Sequence, residues 1–365
     1  MTKAAELAKM GEVLTNSQLG GRRNIVINGA MQVSQRGTDL NDVSHGDYCA
    51  DRFEVIKANT DELVINYDQS TDAPDGFSNS FKLSVGTVES AIDTNEYVMI
   101  NQRIEAQNLQ HLKYGTSSAE TLTLSFHVKS SVTGTYALSV FQSDGTKYYS
   151  ATYTISSANT WEYKTIKING NTADAINNDN GAGLRLSWTL SSGSNFTSGS
   201  NDAWGDSTNW AVGHNASWIT TSSATFFVTG VQLEVGEQAT PFEHRSFGEE
   251  LALCQRYYYK LIIDSDADSF ATGSNNSTTT SEHSIIFAQT MRANPTAIET
   301  TGTAGDYQLT SSGTATDCSA VPVFVRASLH TAYFRSTVSS GLTTGNASLL
   351  RSEGSDAYLA WSAEL

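Results

Sequence analysis

Three indoles, Trp204, Trp210 and Trp218, fall within the Gly-, Ser- and Asn-rich segment 195–218. Sugar recognition needs flat apolar faces against C–H surfaces, flanked by polar groups for the hydroxyls, and this segment holds both. Trp204, Trp210, Trp218, Asp206 and His214 form the candidate glycan-binding set, with Asp202, Asn209 and Asn215 beside them. Exposed Trp is costly to solubility, so such a density asks for a reason. The competing reading has the indoles plug the end of a domain or a subunit interface, where Trp is enriched. Nearer the C-terminus, Tyr307, His330, Tyr333, Phe334, Tyr358 and Trp361 supply further rings. Alternation assigns several of these to a core and leaves the remainder for a receptor-contacting tip.

Carboxylates are plentiful, but no pair has a recognisable catalytic context. Asp51, Glu105, Glu162 and Glu234 lie in or beside expected strands. One of them coordinating calcium is the sharper reading, and a hydrogen-bonded or solvent-facing carboxylate the plainer one. Calcium wants several oxygen ligands at once, and no EF-like loop is present. The serines show no G-x-S-x-G elbow, the seven histidines no H-E-x-x-H, and there is no Walker or dinucleotide fingerprint. Cys49, Cys254 and Cys318 form no C-x-x-C pair and are odd in number, which predicts buried free thiols rather than a metal site or a disulfide framework. The expectation is a protein with no cofactor that catalyses nothing.

The 365-residue chain is too long for one ordinary core, which predicts two domains and a terminal appendage. Its charged fraction is only 16%, below the usual quarter, with Ser, Thr, Asn and Gly in place of charge. Such a surface is hydrogen-bonding rather than ionic. The net charge of −16 argues against binding nucleic acid, which needs clustered Lys and Arg to release counterions. It argues equally against an anionic membrane surface. No apolar run reaches transmembrane or signal-peptide length, so no membrane insertion is expected.

Residues 1–21 read as a helical anchor in which Leu7, Met10 and Leu14 recur at spacings of three and four before Gly20-Gly21. So short a helix is marginal alone in water, and its stripe needs a partner. From about residue 22 the period becomes two. Strands are expected over 24–28, 52–57, 62–67, 81–85, 97–105, 121–129, 135–142, 147–155, 161–168, 183–190 and 225–235, with a helical interruption over 106–113. Turn signals such as Asp144-Gly145 separate them. The fold class is therefore all-β: a jelly-roll-type sandwich over 22–246. Ser246 and Glu249 form a capping box for a connecting helix over 247–260, which presents Leu251 and Tyr258. A second β-domain over 261–365 has expected strands at 282–291, 321–329, 332–338 and 358–361. The small, polar tract 271–281 reads as a loop.

Several motifs then occur in a telling order. Arg23-Asn24-Ile25-Val26-Ile27-Asn28-Gly29-Ala30-Met31, Ser34-Gln35-Arg36-Gly37 and Ala50-Asp51-Arg52-Phe53 resemble the opening of a module of bacteriophage tail-fibre and receptor-binding proteins. Val228-Thr229-Gly230-Val231-Gln232-Leu233-Glu234-Val235-Gly236 and Ala239-Thr240-Pro241-Phe242-Glu243-His244-Arg245 resemble its close. Leu251-Ala252-Leu253-Cys254-Gln255-Arg256-Tyr257-Tyr258 and Met291-Arg292-Ala293-Asn294-Pro295-Thr296 resemble segments C-terminal to that module in such fibres. The resemblance spans roughly residues 22–300. It implies a carbohydrate-binding-module-like sandwich, a homotrimer, location on the virion, and attachment to host surface polysaccharide.

On this reading Leu7, Met10, Leu14, Leu251 and Tyr258 gather the copies or dock them on other virion proteins. Linking weak glycan sites raises avidity roughly 10²–10⁴-fold. Two other roles stay open: a purely structural virion component, as a capsid spike or tail adaptor, and a polysaccharide depolymerase. The second needs a general acid and a further carboxylate about 5–10 Å apart.

Overall fold

Period-two alternation becomes backbone pairing over most of the chain. The computed structural model describes residues 23–206, 208–263, 268–354 and 357–365. Two units part between Phe247 and Gly248. In the first, one six-stranded sheet runs in the order β1 (Asp39–Leu40), β4 (Val64–Ser70), β5 (Ser80–Thr87), β13 (Thr225–Val235), β7 (Leu122–Ser130), β10 (Glu162–Ile168). A seven-stranded sheet runs β12 (Trp204–Gly205), β9 (Lys147–Ile155), β8 (Gly134–Gln142), β11 (Ala182–Ser192), β6 (Tyr97–Glu105), β3 (Phe53–Ala58), β2 (Asp47–Tyr48). The pairings are antiparallel.

Alternation aims one face of each sheet inward, which makes this unit a β-sandwich. Leu122, Leu124, Phe126 and Val128 of β7 share one core with Leu184, Leu186, Trp188 and Leu190 of β11. Trp188 joins the layers: its ring lies 6.3 Å from Phe53 of its own sheet and 5.7 Å, edge-on, from Phe126 of the other. Each such fully buried apolar side chain contributes about 1.5–3 kcal/mol.

Among the described residues the one α-helix, α1, is Phe247–Gln255. It begins one residue after the expected cap, and all of it but Phe247 belongs to the second unit. That unit holds a three-stranded sheet, β14 (Tyr258–Ile262), β22 (Tyr358–Ser362), β17 (Glu299–Thr300). It also holds a closed barrel, β15 (Ser269–Asn275), β16 (Thr280–Ile286), β20 (Thr331–Val338), β19 (Thr314–Ala327), β18 (Tyr307–Ser311), β21 (Ala347–Ser352). Phe334, Leu350, Tyr307 and Trp361 lie in its core.

Some expectations differ from what is found. Residues 24–28 form no strand, because side-chain amides replace the ladder. Asn24 Nδ2 donates to Val231 O at 3.0 Å, and Asn24 Oδ1 accepts from Leu233 N at 3.1 Å. Asn28, at φ 60°, donates to Val33 O and Asp51 O. The tract 271–281, expected as a loop, contains most of β15. Small residues serve pairing here, since a Cβ on Gly273 would stand 2.2 Å from Glu282 O. The expected helical interruption after β6 is present, as a 3₁₀ helix over Ala106–Leu112. The connecting helix stops at Gln255, so Tyr258 lies on β14, where its hydroxyl donates to Glu299 Oε2 at 2.8 Å. Leu251 remains on α1, partly exposed. Leu7, Met10 and Leu14 lie outside the described residues.

Candidate functional site: a cleft on the seven-stranded sheet

Inward Val98, Ile100 and Ile104 leave Tyr97, Met99, Asn101 and Arg103 of β6 on the outer face of the seven-stranded sheet. By the same rule β11 turns Arg185, Ser187 and Thr189 outward. Register then assembles rows across the strands. One is polar: Glu54 pairs with Asn101, Asn101 with Ser187, Ser187 with Ser139, and Ser139 with Ser150. The next is cationic and aromatic: Arg103 faces Arg185, Arg185 faces Phe141, and Phe141 faces Tyr148.

The segment after β11 folds over one end of this face. Its entry is tight, since a Cβ on Gly193 would stand 2.1 Å from Asp93 O. Gly193 N donates to Glu96 O at 2.7 Å, Ala211 N to Phe196 O at 3.0 Å, and Asp202 N to Ser150 O at 2.8 Å. These bonds seat Trp210 on Ile56, Met99 and Ala137 of the sheet. Its indole stacks on Phe196 at 4.6 Å and meets Tyr97 edge-on at 4.9 Å. On the far side Tyr148 packs against Phe141 at 4.5 Å.

Between these walls lies an open cleft of about 260 Å³. Tyr97, Tyr148 and Trp210 supply its rings, Asn101, Arg103, Arg185 and His45 its polar groups, and Ile56 and Met99 an apolar floor. Ring faces beside fixed donors suit a saccharide, which offers C–H patches and hydroxyls alternately.

Polar satisfaction is incomplete here. Arg103 pairs with Glu54 at 3.0 Å, and Asn101 Nδ2 donates to the same carboxylate at 3.4 Å. Burial pushes the Glu54 carboxyl above its ordinary range, and Arg103, Asn101, Arg185 and Arg52 pull it back only in part. Arg185 stacks over Phe141 at 4.9 Å, yet its Nε–H is buried without an acceptor. Asn101 Oδ1, Ser187 Oγ and Thr189 Oγ1 are likewise buried and unpaired. Buried polar groups are nearly always hydrogen-bonded, so a cluster of exceptions marks a place where water or ligand completes the bonding.

The indoles expected to act together go to different surroundings. Trp210 lines the cleft and Trp218 is wholly buried in the sandwich core. Trp204 packs on Tyr149 and donates from Nε1 to Asn169 O at 2.6 Å. Asp206 is exposed and ion-paired to Lys147. His214 is buried, accepting from Ala137 N at 3.2 Å, and burial lowers its pKa to about 4. Sequence reasoning does not single out Tyr97, Tyr148, Asn101, Arg103, Arg185, Glu54 or His45. The available signal is the outward half of β6, where Asn and Arg interrupt an otherwise apolar strand.

The four carboxylates considered for calcium lie apart, each with its own partners. Asp51 accepts from Gln35 N at 2.8 Å, and burial raises its pKa. Glu105 accepts from Gln107. Glu162 accepts from Ser156 N at 2.8 Å and from Lys164 at 2.6 Å. Glu234 accepts from Thr240 N at 2.8 Å and Gln232 Nε2 at 2.9 Å. Among the described residues no three His, Cys, Asp or Glu side chains gather in a metal-binding group. Cys49, Cys254 and Cys318 are free and buried. No described helix is long and apolar enough to cross a membrane.

No family model and no curated protein matches this chain. Among solved structures it is similar to the enzymatically active domain of bacteriophage CBA120 tailspike protein 4, at 15% identity and TM-score 0.29. That alignment covers 54% of this chain and 22% of that one. It is also similar to the family 11 carbohydrate-binding module of a Clostridium thermocellum cellulase, at 10% identity and TM-score 0.28, covering 55% of this chain and 98% of that one. A xylan-binding domain from Paenibacillus barcinonensis gives 9% identity and TM-score 0.28, over 59% and 96% of the two chains. Scores this low carry neither ligand nor role to this protein.

Proposed function

We propose that the protein binds host surface glycan in the cleft of its seven-stranded sheet, without cleaving it, as the attachment component of a homotrimeric virion fibre. The cleft carries this reading: three rings and a set of fixed donors share one open face of about 260 Å³. Binding is favoured over hydrolysis because none of the described lining residues is a carboxylate, whereas glycoside cleavage uses a flanking pair. The virion role is supported by the ordered motifs of residues 22–300. Trimerisation compensates for a shallow site, since linked copies gain avidity without new contacts.

A glycan array probed with the full chain tests it. Retained glycans are expected to lose affinity roughly 10–100-fold with Tyr148→Ala, the size of a typical aromatic hot spot, and to release no new reducing ends. Glycan binding that ignores Tyr148→Ala and Asn101→Ala alike would overturn the assignment to this cleft.

One observation favours the structural alternative. In the second unit, Ile286 is 79% exposed and Val323 is 45% exposed. Such residues suit contact with another virion protein, as in a spike or adaptor. Binding of the full chain to virions lacking it, unaffected by competing glycan, would support that role.

A further inference from the structure

We infer that the cleft selects an acidic saccharide, one whose carboxylate is taken by Arg185 with Arg103 beside it. This rests on the glycan-binding reading and specifies the sugar class.

The first argument is charge placement. The chain carries 38 Asp and Glu against 22 Lys and Arg. Yet the charged residues lining the cleft are Arg103 and Arg185, with His45 at its rim and no carboxylate. Arg103 and Arg185 are direct cross-strand partners. Like charges placed opposite one another are destabilising, so the pair costs stability unless an anion bridges it. Glu54, behind Arg103, and Leu365 O, which accepts from Arg103 Nη1, meet the demand of Arg103 and leave that of Arg185.

The second argument is that Arg185 is left over. No carboxylate pairs with it among the described residues, its Nε–H is buried without an acceptor, and Phe141 holds the guanidinium plane. A half-buried guanidinium on an aromatic face is pre-organised for a planar, bidentate anion. The geometry therefore pairs one anionic group with an aromatic-walled, hydroxyl-reading surface.

The test uses the full chain and matched polymers at about 0.15 M salt, where exposed charges more than about 8 Å away are largely screened. Polygalacturonate, alginate, hyaluronan and polysialate are each compared with their carboxyl-reduced forms by calorimetry, with dextran sulfate and neutral glucans as further arms. At least one acidic polymer is expected to bind roughly 10–100-fold more tightly than its reduced form. Arg185→Gln should remove that preference without lowering the thermal melt, since it also relieves the repulsion from Arg103, and Arg185→Lys should restore the preference in part. Equal binding of acidic and reduced forms, or preference for neutral glucans, overturns this inference while a Tyr148→Ala effect keeps the glycan reading. Binding of dextran sulfate alone overturns the carboxylate assignment. No binding of any polymer overturns both.

Discussion

The two outer faces of the sandwich follow one rule of alternation and end in different states. On the six-stranded sheet, outward polar groups find partners. Lys82 pairs with Asp68 at 2.8 Å and Lys167 with Glu237 at 2.9 Å. Gln232 bonds Glu234 and accepts from Glu243 N, while Thr229 donates to Asn79 O. His127 Nδ1 is an exception there. On the seven-stranded sheet Asn101, Arg185, Ser187 and Thr189 all keep unpaired atoms. One face is satisfied by its own chain, and the other keeps polar atoms that no protein group satisfies. Exposure does not separate the faces, since Tyr163 on the finished one is 50% exposed. Satisfaction does.

Trp188→Ala should have the largest effect, because that ring touches both layers. A loss of about 3–5 kcal/mol is expected in urea unfolding, with both faces failing together. Loss of only one face would break the single-core picture. On the finished face, Glu234→Ala should cost up to about 3 kcal/mol, since it removes the acceptor of Thr240 N and of the Thr240 hydroxyl.

Acid probes the cover of the other face. His214, with its folded pKa lowered to about 4, stays neutral while the unfolded chain protonates near 6.5. Its contribution is therefore present above pH 6.5 and lost as pH falls toward 4, about 2 kcal/mol of it by pH 5. Urea midpoints at pH 7 and pH 5 measure it, and His214→Gln should remove the share of His214, leaving that of His283, whose pKa burial also lowers to about 4. The smallest change is Ser187→Ala. Removing an already unpaired buried hydroxyl should leave stability within about 1 kcal/mol of the parent, whereas a large loss would show that Ser187 has a partner after all.

Strands were legible wherever alternation ran long. Tyr97–Glu105, Lys147–Ile155 and Thr225–Val235 fall on the bounds that the pattern predicts. Ser269–Asn275 did not, because its pairing depends on small residues that resemble a loop. The site was scarcely legible. Its groups come from β3, β6, β9 and β11 and from the loops that carry His45 and Trp210, and their neighbours are set by a strand order that local sequence does not encode. Tyr148 and Arg185 each look like ordinary outward residues until register puts Phe141 between them. Proximity misled in the opposite direction for the indoles, which lie near one another in sequence yet have separate tasks. The motifs carrying the fibre resemblance proved architectural: Asn24, Asn28 and Asp51 bond backbone groups of their own unit.

The six barrel strands of the second unit close into a ring, β21 bonding back to β15. A ring offers neighbours no dangling row of amides to copy, which is how sheets recruit one another into fibrils. Copies held at high local concentration can thus stand close without these strands zipping together.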